Sequence, residues 1–135
     1  MQYDADEALW FTFRVERKLW RAILVHGDHE ALVDDDHEDG PPLYGCCDYD
    51  SRSIYVDASA SLRRIHDTAL HEIGHAAICA GTPSHVRAFD LSRDIEEALI
   101  RCITPILCRV ARPRWPAFPP EARALIRVAR RKAHR

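Results

Sequence analysis

Residues 71–75 read His-Glu-Ile-Gly-His, a spacing that has a physical reason on a helix. Side chains four apart stand one turn above each other, so both imidazoles reach a single metal ion. Glu72 then projects beside the pair, where it can take a proton from a metal-activated water. With 8 His in 135 residues and as many Glu, such a motif arises by chance roughly 0.03 times per chain. The His/carboxylate mixture suits Zn²⁺, which takes three protein ligands in catalytic sites and keeps one position open.

The flanking sequence supports the helix. From Ser61 to Ala80, the residues Leu62, Ile65, Ala69, Ile73, Ala76, Ala77 and Ala80 recur at steps of three and four. Gly81, followed by Pro83, stands where a left-handed C-terminal cap belongs. Gly74 inside the run costs about 1 kcal/mol relative to alanine. A small residue there makes sense if another element approaches closely. A second helix is expected over Asp94–Val110, with Ile95, Leu99, Cys102, Ile103 and Ile106 as its apolar stripe and a kink or interruption at Pro105.

A third ligand must come from elsewhere. The HExxHxxGxxH pattern of metzincins fails, because the position six beyond His75 is Gly81 and the single methionine is Met1. The candidates are Glu96 and Glu97 on the second helix, His85 in the connection, and Asp90 or Asp94. Asp94-x-x-Glu97 also reads as a capping box, which would turn Glu97 back onto the backbone of Asp94. If Ser92 is the cap instead, Glu97 moves into the second turn and is free to bind metal. His66, five before His71 and about 140° around the helix, misses the metal. His85 or Arg101 could steady the oxyanion of a tetrahedral intermediate. A cysteine as third ligand would follow peptide deformylases, whose glycine-rich and EGCLS-like segments are missing here.

Strands precede the helices. Leu9, Phe11, Phe13 and Val15 alternate with Trp10, Thr12, Arg14 and Glu16, and a second alternating stretch follows at Leu19–Val25, where a helix is also admissible. Residues 26–42 read as an acidic loop. LYGCC, the turn-prone DYDS and then SIYVD form a hairpin signal over 43–57. Residues 113–120 (PRWPAFPP) lead into a short basic helix over about 121–133. Residues 1–112 are therefore read as one domain, and 113–135 as a Pro-rich linker with a basic C-terminal helix.

The stretches GCCDYDSRSIYVD, DTALHEIGHAAI and IEEALIRCITPIL resemble the small gluzincin-type metallopeptidases of phages and of the ImmA/IrrE group. The likeness covers roughly residues 43–107. It implies zinc ligation by His71, His75 and Glu97, with Glu72 as catalytic base; Glu96 stays open because the family's Glu-helix pattern is only loosely kept. The expected fold is α+β and zincin-like. A small, mostly antiparallel sheet would pack on the HExxH helix and one or two further helices, with Ser53–Asp57 as an edge strand along the cleft.

The expected function is zinc-dependent hydrolysis of a peptide or protein substrate. The alternative is a metal-binding module without peptidase activity, acting as a regulatory or nucleic-acid-associated protein. Charge bears on that alternative. Residues 1–108 carry 10 Lys/Arg against 20 Asp/Glu, whereas 109–135 carry 9 against one. Such a tail can attract nucleic acid or an acidic partner. It can equally pack on the acidic body through Leu125, Ile126 and Val128. No apolar run reaches the ~20 residues of a membrane helix. The acidic N-terminus and five unpaired-looking cysteines lead to an expectation of a cytoplasmic protein with reduced thiols.

Overall fold

The computed structural model describes residues 6–33, 43–81, 93–110 and 113–133. These residues form an α+β structure built on a mixed four-stranded sheet and three helices. The strands are β1 (Glu7–Val15), β2 (Lys18–Val25), β3 (Gly45–Asp48) and β4 (Ser53–Asp57), with a 3-10 turn at Glu30–Leu32. The helices are α1 (Leu62–Gly81), α2 (Arg93–Val110) and α3 (Pro120–Ala133). Among the described residues no helix is long and apolar enough to cross a membrane.

The sheet order is β1-β2-β4-β3. β1 with β2, and β3 with β4, pair antiparallel across tight turns; β2 and β4 pair parallel. That parallel pairing corrects one expectation. Ser53–Asp57 is an internal strand, and the terminal strand on that side is β3. A parallel neighbour needs a long crossover, so no local signal announces it. β2, which could also be read as a helix, is a central strand covered on both faces. Trp20, Ala22 and Leu24 face the helices, while Ile23 and Val25 pack with Leu32, Cys46 and Tyr55 behind the sheet.

β1 departs from simple alternation. Leu9 lies opposite Ile23 and Phe11 opposite Ala22, so Trp10 is an extra residue, a β-bulge. The bulge reverses the phase. Ala8 and Trp10 enter the core together with Phe11 and Phe13, and Leu9 is left exposed.

α1 begins as the sequence indicates, with Ser61 Oγ accepting from the Arg64 N–H at 3.2 Å. Asp57 prepares that entry by accepting from the Ser59 N–H at 2.8 Å and the Ser59 hydroxyl at 2.6 Å. The helix runs through Gly81, and no described glycine has a positive φ, so the expected left-handed cap at Gly81 does not form. Ile65, Ala69 and Ala76 carry α1 onto the sheet. α2 continues through Pro105 as one helix, without the expected interruption. Its apolar stripe does not face the core either. Ile100 and Thr104 are buried, while Ile95, Leu99, Cys102, Ile103 and Ile106 are exposed.

The C-terminal segment packs on the sheet. Ala122, Leu125, Ile126 and Ala129 of α3 are buried, whereas Val128 is exposed. Ahead of it, Trp115 stacks on Trp10 at a centroid distance of 5.4 Å, and Phe118 lies 4.7 Å from the same ring. The Trp10 indole N–H donates to the Pro116 carbonyl at 2.9 Å. His66 stacks on Trp115 at 5.3 Å, so α1, β1 and the Pro-rich segment meet in one aromatic cluster away from the motif histidines. Trp10→Ala is expected to cost about 3–5 kcal/mol, as large aromatic truncations in cores do. Chemical denaturation checks this; a loss under ~1 kcal/mol would mean that the cluster is not a packed core.

Candidate metal centre

α1 and α2 together bring His71, His75 and Glu97 into one cluster, with one candidate donor atom from each within 4.8 Å of the others. The two histidines face α2 because the opposite side of α1, with Ile65, Ala69 and Ala76, is committed to the sheet. α2 (Arg93–Val110) already includes Arg93, so Asp94 is not its N-cap and Glu97 lies beyond the reach of a capping box. α2 lies against α1 at Gly74, but not so close that a glycine is required there. A β-carbon at Gly74 would touch the Ile100 side chain at 3.5–3.7 Å, ordinary van der Waals contact. Ile100 is thus the neighbour that faces Gly74, and the spacing would admit an alanine.

One carboxylate meets both imidazoles. Glu97 Oε1 lies 2.9 Å from His71 Nε2, and Glu97 Oε2 lies 2.8 Å from His75 Nε2. The two rings stand edge to face with centroids 5.1 Å apart. Two imidazole nitrogens and a carboxylate converging on one point are a donor set suited to a divalent cation of the zinc type. The residues present fit such an ion.

Glu96 has a different place from Glu97. Its Oε1 lies 3.3 Å from His75 Nδ1, the ring nitrogen facing away from the cluster. It therefore suits the role of a carboxylate that orients a ligating histidine and fixes its tautomer. Arg101, one turn after Glu97, donates from Nε to Glu97 Oε1 at 3.1 Å. Arg101, a candidate with His85 for steadying an oxyanion, is set against the Glu97 carboxylate. His85 and Asp90 lie outside the described residues, as does the side chain of Asp94.

The charges are graded by burial. Burial pushes the Glu72 carboxyl up to about 8, and the neighbouring charge of Glu97 adds to the rise. Burial also raises the Glu97 carboxyl, but His71, Arg101 and His75 outweigh it and hold it below the usual range. His71 is pushed down, chiefly by burial. Two neighbouring carboxylates on different helices, Glu72 on α1 and Glu97 on α2, thus have unlike proton affinities.

β3 closes the other side of Glu72. A β-carbon on Gly45 would collide with the Thr68 methyl and approach Glu72 Cγ at 3.1 Å and the Tyr55 carbonyl at 3.0 Å. No sequence signal marked Gly45; a glycine inside a strand, where a backbone approaches closely, is the only hint. Gly45→Ala is expected to push β3 off α1 and to lower stability by roughly 1–3 kcal/mol, the usual cost of overpacking. Thermal unfolding reads this, and a change within ±0.5 kcal/mol would show that the contact relaxes freely.

Compared with known protein families, curated proteins and solved structures, the chain gives no match.

Proposed function

We propose that the chain is a zinc-dependent metallopeptidase with a zincin-like arrangement. The observation that carries this reading is the single carboxylate of Glu97 meeting both Nε2 atoms beside a buried Glu72. The resemblance of the three motif segments to gluzincin-type enzymes supports it. A bound zinc ion would polarise a peptide carbonyl and acidify water. His71, His75 and Glu97 hold that ion, and Glu96 accepts the Nδ1 proton of His75 so that Nε2 keeps its lone pair for the metal.

Glu72 then acts as the proton carrier. It takes a proton from the attacking water and passes it to the leaving amine, so one group serves as base and then as acid. Its burial favours this double role, because a carboxyl of raised proton affinity accepts a proton more readily than an exposed one. The extended substrate lies along the terminal strand β3, which passes beside Glu72 and can hydrogen-bond a peptide backbone as an added strand.

A quenched-fluorescent peptide library, incubated with the zinc-loaded chain, tests this. Cleavage that disappears with a chelator and returns with zinc is expected. A zinc-loaded chain inert towards the library and towards denatured protein substrates would favour the metal-binding module without peptidase activity.

A further inference from the structure

Among the described residues, α2 is docked by one face. Ile100 and Thr104 are buried there, Cys108 Sγ donates to Asp67 at 3.3 Å, and Glu96 and Glu97 reach the histidines. The opposite face carries Ile95, Leu99, Cys102, Ile103, Ile106 and Val110. The five aliphatic side chains are 43–79 % exposed, and Cys102 is exposed as well. Together they present on the order of 500 Å² of apolar surface, in the upper part of the range for the largest single patch on a soluble monomer, a patch that is often functional.

We propose that this face packs against the same face of a second copy, as an antiparallel helix pair about a two-fold axis between Cys102 and Ile103. The order of the residues is what selects a second copy as occupant. Steps of 4-3-4 from Ile95 through Leu99 and Cys102 to Ile106 form a coiled-coil seam. That seam is also palindromic. Positions 95 and 110, 99 and 106, and 102 and 103 share one midpoint, so antiparallel pairing sets Ile95 against Val110, Leu99 against Ile106, and Cys102 against Ile103. An isologous interface requires this reciprocity: each apolar position meets an apolar position in both directions. A partner of unrelated sequence imposes no such condition. Two such faces bury about 1,000 Å², the size at which specific interfaces begin. The metal-binding residues lie on the other side of α2, so each copy keeps its own centre.

Sedimentation of the full chain under reducing conditions tests the pairing and needs no variant for its first result. A dimer in reversible equilibrium with monomer is expected, and a monomer persisting to ~100 µM would overturn the proposal. Register is tested by Leu99→Glu and Ile106→Lys. Each alone should weaken association about tenfold or more, because it sets a charge against an apolar side chain. A mixture of the two variants should dimerise again, since the introduced carboxylate faces the introduced amine across the pair. A mixture that stays monomeric, while both variants keep the wild-type circular dichroism and thermal transition, would exclude this antiparallel arrangement.

Discussion

Glu72→Gln is expected to leave the zinc in place and to lower hydrolysis by about 10²–10⁴-fold, the usual contribution of a positioned general base. Glutamine is nearly isosteric and stays neutral, so the buried site keeps its shape. Its amide cannot accept a proton from water, and the proton-carrying step is lost. A kcat within a few-fold of wild type at equal zinc content would show that the base is another group. A variant that lost its zinc would mean that Glu72 holds the ion rather than the proton.

The second large effect separates two neighbouring carboxylates. Glu97→Ala is expected to weaken zinc binding far more than Glu96→Ala, because Glu97 faces both Nε2 atoms whereas Glu96 reaches only the outer nitrogen of His75. Removing a carboxylate that orients a ligand typically costs 10–100-fold in metal affinity, which is the expectation for Glu96→Ala. Calorimetric titration of both variants with Zn²⁺ gives the ranking. The reverse ranking would move the ligand role to Glu96. Equal and small losses would point to a third ligand elsewhere, His85 or a cysteine.

Much of the local structure is legible in the sequence, because it is written in nearest-neighbour terms. Ser61 caps the helix that the apolar spacing marks, and DYDS turns the β3–β4 hairpin that Tyr and β-branched residues announce. The HExxH pair is legible for the same reason, since i and i+4 meet on any helix. What is not local is harder to read. A period of two cannot reveal the bulge at Trp10, which exchanges the roles of Leu9 and Trp10. A period of 3.6 reports that α2 has an apolar face but not what that face meets. It turns outward, and the face that carries Glu96 and Glu97 turns to α1. Spacing alone leaves Glu96 and Glu97 level. The docking of Ile100 against Gly74 sets the phase that directs Glu97 to both histidines. PRWPAFPP, with its prolines, reads as a linker, yet Trp115 and Phe118 within it cover Trp10; aromatic residues in a Pro-rich stretch were the available signal.

The zinc content of the chain, purified without chelators and dialysed against trace Zn²⁺, tests the metal centre most directly. One zinc per chain is expected, with His71→Ala and His75→Ala losing both the metal and part of the thermal stability, because metal binding contributes to folding free energy. A wild-type chain that takes up no zinc under these conditions, or histidine variants that retain it in full, would contradict a centre built from His71, His75 and Glu97.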